Sequence, residues 1–239
     1  MLLAFLAGVM NRTNDNAHRS RRSGALLGLL LLVSWILAPP AQSRSFAFES
    51  LRDPLTALQT ARGGPQPSEL GGAELIRANP AWLASTDRVR IGASHRSWQI
   101  GLQQQWSGAA WPLGRGTVAL EGSALHAGEL PAFEPDGSPA GSFHPVELVV
   151  GAGFGAPLGG GVSAGLSGQL LYLDAPGDPL RGFCLGAGIG LEVGRTRLGL
   201  ALRNLGPEMA GENGTYRLPA EAAIGATVSM RRGLDLAVS

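Results

Sequence analysis

Residues 146–174 read VELVVGAGFGAPLGGGVSAGLSGQLLYLD, two glycine-rich runs folded about PLGGG. In the first run Val146, Leu148, Val150, Ala152 and Phe154 alternate with Glu147, Val149, Gly151, Gly153 and Gly155. In the second, Val162, Ala164, Leu166, Gly168, Leu170 and Tyr172 alternate with Ser163, Gly165, Ser167, Gln169 and Leu171. Side chains alternate across a strand, so each run has one apolar face and one that is small or polar. A soluble hairpin alternates too. What remains to be read is whether the apolar face meets a protein core or lipid.

Outward from this hairpin the period stays two. Strands are predicted at about 88–94, 98–106, 117–125, 146–155, 162–173, 183–193, 196–204, 221–231 and 234–239. Their apolar face carries Trp98, Ile100 and Leu102, then Val118 and Leu120, then Phe183, Leu185, Ile189 and Val193. It continues through Leu198, Leu200 and Leu202 to Ile224, Val228, Leu234, Leu236 and Val238. No charge falls on it, whereas Glu121, Glu147, Glu192, Arg197, Arg203 and Asp235 fall on the other face. At mid-membrane a lipid-facing Arg or Lys costs roughly 2–4 kcal/mol, so lipid selects this pattern; a protein core excludes charge as well.

Three features favour lipid. The connections 112–116, 157–161, 194–197 and 230–233 are tight, while 126–145, 174–182 and 205–219 are long, as on the two rims of an outer-membrane barrel. Trp98, Trp106, Trp111, Phe154, Tyr172 and Phe183 sit near strand ends, which suits interfacial girdles. The polar face is crowded with glycine at 151, 153, 155, 186, 188 and 190, where a sandwich would show Thr, Lys and Glu to water. Such glycines mark bends, or close approach of something filling the lumen. The expected fold is all-β, a transmembrane antiparallel up-and-down barrel of which 88–239 supplies about nine strands.

Composition agrees: 36 of 239 residues are glycine and only 15% are charged. The net charge of +1 and the lack of a basic stripe after the first 25 residues exclude a nucleic-acid partner. Residues 1–43 read as a signal peptide. Arg19, Arg21 and Arg22 precede the apolar run Gly24–Ala38, and Ala41-Gln42-Ser43 offers a small-x-small site with cleavage between Ser43 and Arg44. The run is shorter than the roughly 20 residues of a membrane span, and the start codon is Met1 or Met10. Residues 44–87 carry Asp53-Pro54, Gly63-Gly64-Pro65, Gly71-Gly72 and Asn79-Pro80 as breakers, with short helical pieces around 55–61 and 73–78. They are a linker, or a plug-like segment packed inside a barrel.

No catalytic constellation emerges, and no cofactor or metal is expected. Gly161-Val162-Ser163-Ala164-Gly165 matches G-x-S-x-G, but Ser163 opens a strand and no histidine follows it. His95, His126 and His144 fall at strand ends or in loops without paired metal spacing. Cys184, the single cysteine, excludes an internal disulfide and sits on the interior-facing side of a strand.

Ala61-Arg62-Gly63-Gly64, followed by Asn79-Pro80-Ala81-Trp82-Leu83-Ala84, resembles the "ARxxGMGGA … NPAGLA" opening of FadL-like outer-membrane proteins, most closely the PorV/PorQ branch. Trp82 stands where that family writes glycine. Leu200–Pro207 (LALRNLGP) is similar to the branch's "lavrNlGp" strand end, and Leu218-Pro219 through Val238 resembles its next hairpin. The resemblance spans 61–239 and implies a fourteen-stranded barrel whose N-terminal segment plugs the lumen. It implies that Asn79, Pro80 and Ala81 belong to the plug and that Asn204, Leu205 and Gly206 shape a turn into an outer loop. It also implies hydrophobic-molecule transport or type IX protein secretion in a Gram-negative outer membrane. Partners would be membrane lipid, and hydrophobic small molecules or secretion cargo and components. Bacterial single-chain barrels have even strand numbers. Nine strands, with alternation stopping at Ser239, therefore suggest a truncated member, or one that closes by oligomerising. The alternative is a soluble periplasmic β-sandwich or barrel that binds a small ligand or protein.

Overall fold

The computed structural model describes residues 46–98, 101–134, 136–174, 179–211, 214–230 and 235–238. The expected signal peptide and its cleavage site at Ser43 and Arg44 lie outside these residues. The described chain is mostly β, preceded by a short irregular segment with two single-turn helices.

Helix α1 (Ala57–Ala61) starts at Thr56, whose side chain accepts from the Gln59 amide at 3.2 Å, and Gln59 Oε1 accepts in return from Leu55 N at 2.8 Å. This reciprocal exchange, close to a capping box, satisfies two orphan donors at once. Helix α2 (Leu75–Ala78) runs into Asn79, and a 3₁₀ segment, Pro80–Ser85, follows directly. Asn79 Oδ1 accepts from Ala81 N at 3.1 Å, and Pro80 takes the first helical position, where a missing N–H costs nothing.

Among the described residues nine strands build one sheet. They are β1 (Arg90–Ser97), β2 (Gln103–Leu113), β3 (Gly116–His126), β6 (Val146–Gly159), β7 (Val162–Asp174), β8 (Leu180–Val193), β9 (Thr196–Leu205), β12 (Glu221–Ser229) and β13 (Asp235–Val238). Every pairing in the sheet is antiparallel, between neighbours in this order. Two small hairpins, β4 (Leu130–Phe133) with β5 (Pro139–Phe143) and β10 (Met209–Gly211) with β11 (Gly214–Tyr216), rise from the long connections at one end of the sheet. Among the described residues the sheet is open: β1 and β13 are its two edges, and it does not close into a barrel.

The second strand departs from expectation. Trp98 and Leu102 were expected on its apolar face, yet they form a tight turn in which Trp98 N donates to Leu102 O at 2.9 Å and Gly101 takes a φ of +77°. Ile100 lies outside the described residues. The strand begins at Gln103 and continues through Pro112, so its outer face is Gln103, Gln105, Ser107, Ala109 and Trp111. The positive φ of Gly101 fixes the turn and thereby the register.

The core lies on one side of the sheet only. Leu55, Leu75, Ile76, Trp82 and Leu83 of the N-terminal segment pack with Trp106, Ala110 and Ala119. Phe48 and Leu51 pack with Val149, Leu171, Cys184, Met209 and Leu218 nearer the long connections. The inner face is thus the one that sequence alternation marks as small or polar. The outer face holds the large apolar side chains: Leu120, Val150, Leu166, Leu170, Phe183, Leu185, Ile189 and Ile224 are each 48–67% exposed.

Candidate functional site

The inner face is shaped around Asn79-Pro80-Ala81. Register places Gly155 of β6 opposite Gly165 of β7, Gly165 opposite Gly188 of β8, and Gly188 opposite Ala201 of β9. This row forms a trough one strand-width long on each of four strands, and the N-terminal segment lies in it. A Cβ on Gly155 would collide with Pro80 O, one on Gly165 with the Pro80–Ala81 peptide, and one on Gly188 with Asn79 Oδ1. In the next row a Cβ on Gly190 would sit 2.9 Å from the Trp82 ring. Close backbone approach is what strand glycine permits, and here it lets a peptide lie directly on a sheet.

Asn79 is fully buried, and its Nδ2 donates to Pro67 O at 2.7 Å and to the β8 carbonyl of Ile189 at 3.2 Å. Trp82 donates Nε1 to the same Pro67 O at 2.8 Å. One carbonyl therefore ties the loop before α2 to both ends of the Asn79–Trp82 turn.

Charged side chains of the inner face hold the segment rather than line an open space. Arg203 Nε donates to Ala78 O at 2.7 Å and Nη2 to Pro65 O at 3.3 Å, while Arg197 Nε reaches Ser68 O at 3.4 Å. Ser68 Oγ lies 2.8 Å from Thr227 Oγ1 of β12. Arg77 Nε bonds Glu121 Oε1 at 2.8 Å, Arg77 Nη2 donates to Ser123 Oγ at 2.7 Å, and Trp106 Nε1 donates to Glu121 Oε2 at 2.9 Å. Ser50 donates to Glu147 in the same manner. Buried charges are tolerated only when paired and hydrogen-bonded. Of the charges that sequence alternation put on this face, Glu121, Glu147, Arg197 and Arg203 bond the segment that covers it, while Glu192 is exposed at the end of β8.

Within the segment, Glu69 accepts from Gln59 Nε2 at 2.5 Å and lies 3.9 Å from Arg62. Burial outweighs both and pushes its carboxyl up to about 7. Asp53 is raised as well, by burial against the opposing pull of Arg96 and Arg77.

Asn204, Leu205 and Gly206 sit at the end of β9. Asn204 adopts φ +56°, a left-handed conformation in which Asn is enriched, and the β8–β9 register slips between Leu185 and Ala187 at this level. Asn204 Nδ2 donates to Pro219 O at 3.2 Å across the long connection. A Cβ on Gly206 would meet Phe183 O, so the chain leaves the sheet pressed against β8. Asn79 and Asn204 thus act at separate places, one within the segment where it meets the sheet and one at the rim.

Ser163 stands inside β7 rather than on a strand-to-helix turn, and its buried Oγ has no hydrogen-bond partner among the described residues. Cys184 is buried on the inner face and donates Sγ to Gln169 Oε1 at 2.9 Å. Histidines read from sequence as isolated are brought together across strands: Gln105 Nε2 lies 3.3 Å from His95 Nδ1 and 3.4 Å from His126 Nε2. Only the register of β1 with β2 and of β2 with β3 reveals that juxtaposition. Among the described residues no group of three or more His, Cys, Asp or Glu could hold a metal ion.

No protein-family model, curated protein or solved structure matches this chain.

Proposed function

We propose that this chain is an outer-membrane β-barrel protein of the PorV/PorQ, FadL-like type, serving hydrophobic-molecule transport or type IX secretion, with its outer face in lipid. One observation carries the reading. The sheet is amphipathic in the inverse sense to a soluble protein: large apolar side chains are exposed outside, while Glu121, Glu147, Arg197 and Arg203 are buried inside. Exposed apolar patches of this extent on a soluble monomer mark an interaction surface. Among the described residues the charges on this face, Asp174 and Arg181, lie at the strand ends beside a long connection, and the apolar band between the two ends fits hydrocarbon. On this reading residues 44–87 are the plug, and Asn79-Pro80-Ala81 is the part that seats it against the sheet. The long connections with their hairpins face outwards, and the tight turns at 114–115, 160–161 and 194–195 face the periplasm.

The reading carries a requirement. In hydrocarbon every backbone donor and acceptor must be paired, so the free edges of β1 and β13 need partners, from further strands or from other copies. The soluble periplasmic alternative would need a second layer over the whole outer face. Cell fractionation decides between them. The membrane reading expects the protein in the outer-membrane fraction, extracted only by detergent, with gel mobility that changes on boiling. Recovery as a soluble periplasmic protein contradicts it.

A further inference from the structure

The outer face ends, towards the long connections, in polar side chains that an apolar band does not explain. His95 of β1 and Gln105 of β2 are cross-strand partners, and His126 of β3 lies two residues beyond Ala124, the partner of Gln105 in that strand. The Gln105 amide nitrogen sits between the rings, 3.3 Å from His95 Nδ1 and 3.4 Å from His126 Nε2. With the amide donating to both, each imidazole carries its proton on the other nitrogen, His95 Nε2 and His126 Nδ1. Two ring N–H donors are therefore left to a ligand at the edge of the sheet's outer face.

Immediately along the same three strands the surface becomes apolar and recessed. Ala93, Ser107 and Gly122 form one cross-strand row, and Ile91, Ala109 and Leu120 the next. They line a shallow groove of about 380 Å³ with Trp111 at its far end. Its depth comes from small residues: a Cβ on Gly122 would touch nothing within 4 Å. Two residues along a strand advance about 7 Å, so hydrogen-bond donors and apolar groove are contiguous.

Donors for an anion set at one end of an apolar groove match an amphiphile. Among the described residues no third ligating group joins the two histidines, which disfavours a metal. We propose that His95 and His126, oriented by Gln105, bind the phosphate of a membrane phospholipid, whose acyl chain lies in the groove over Gly122. This rests on the reading that the outer face meets lipid.

The test is native mass spectrometry of the detergent-solubilised full chain, titrated with phosphatidic acid and with diacylglycerol of the same acyl chains, which differ only in the phosphate. The wild-type chain is expected to bind phosphatidic acid at least fivefold more tightly. His95→Ala/His126→Ala should bring the two lipids within twofold of each other. Gly122→Leu, whose Cβ meets nothing within 4 Å and whose side chain occupies the groove, should weaken both. Equal binding of the two lipids by the wild type, or wild-type binding by both variants, overturns the site. Lipid-free dimers that dissociate on Gly122→Leu would assign the groove to a second copy and overturn it too. Failure of the underlying reading looks different: the chain would stay soluble after detergent removal, whatever lipids it bound. Heat-modifiable mobility of each variant reports that it has folded.

Discussion

Arg77 and Glu121 form an ion pair of 2.8 Å in which the side chains are 1% and 0% exposed, joining the N-terminal segment to β3. The second carboxylate oxygen accepts from Trp106 and the guanidinium also reaches Ser123, so the pair sits in a small network. Removing one partner strands the other charge in a dry site, which typically costs about 3–5 kcal/mol. Arg77→Ala is expected to lower stability by roughly that amount, and Arg77→Ala/Glu121→Gln by less than the single change. Denaturant unfolding in detergent measures both; a double variant no more stable than Arg77→Ala would show that the pair is not coupled.

The glycine trough makes a second, sharper demand. Gly165→Ala places a methyl group on the Pro80–Ala81 peptide, where the neighbour is backbone and cannot swing aside. Overpacking of this kind costs typically 1–3 kcal/mol. Gly122→Ala, on the same sheet but facing open space, is expected to change stability by less than about 0.5 kcal/mol. Limited proteolysis of the 46–87 segment provides a local readout. Cleavage there should accelerate in Gly165→Ala and not in Gly122→Ala.

Glu69 predicts a pH dependence with a definite sign. Its folded value of about 7 lies above the usual 4.5, so between these values the folded state holds more protons than the unfolded one. Stability contributed by the neutral acid is fully present below about 4.5 and is lost as pH rises through about 7. The span corresponds to on the order of 3 kcal/mol. Glu69→Gln, which keeps the hydrogen-bonding shape without the charge, is expected to flatten the decline between pH 5 and 8. Melting temperatures of both proteins across that range measure it, and an undiminished slope in Glu69→Gln would contradict the assignment.

The β6–β7 hairpin was legible because alternation is strict there, and β6–β7 pair in the register that PLGGG imposes. Short helical pieces around 55–61 and 73–78 were legible between the Pro and Gly breakers, and α1 and α2 fall within those spans. The second strand was misread because Trp98-Gln99-Ile100-Gly101-Leu102 also alternates, and the φ of +77° at Gly101 breaks it. Glycine density on the inner face could be read as close approach. That Asn79, Pro80 and Trp82 are what approach Gly165, Gly188 and Gly190 is a tertiary fact no local pattern carries. The same holds for Arg77 with Glu121, separated by 44 residues, and for the two histidines that meet at Gln105. Alternation could say which face is apolar. It could not say that the polar face, rather than the apolar one, is the covered side.

That inversion is the centre of the account, and spin-label accessibility tests it most directly. In a Cys184→Ser background, single cysteines replace Leu166 and Leu170, both 67% exposed on the outer face of β7, with Asp136 in a long connection as reference. Power-saturation spectra of the labelled protein in outer membranes compare collision with oxygen, which dissolves in lipid, and with a nickel chelate, which stays in water. The account predicts that labels at 166 and 170 meet oxygen freely and the nickel chelate scarcely, with the reverse at 136. Nickel accessibility at 166 and 170 equal to that at 136 would contradict it.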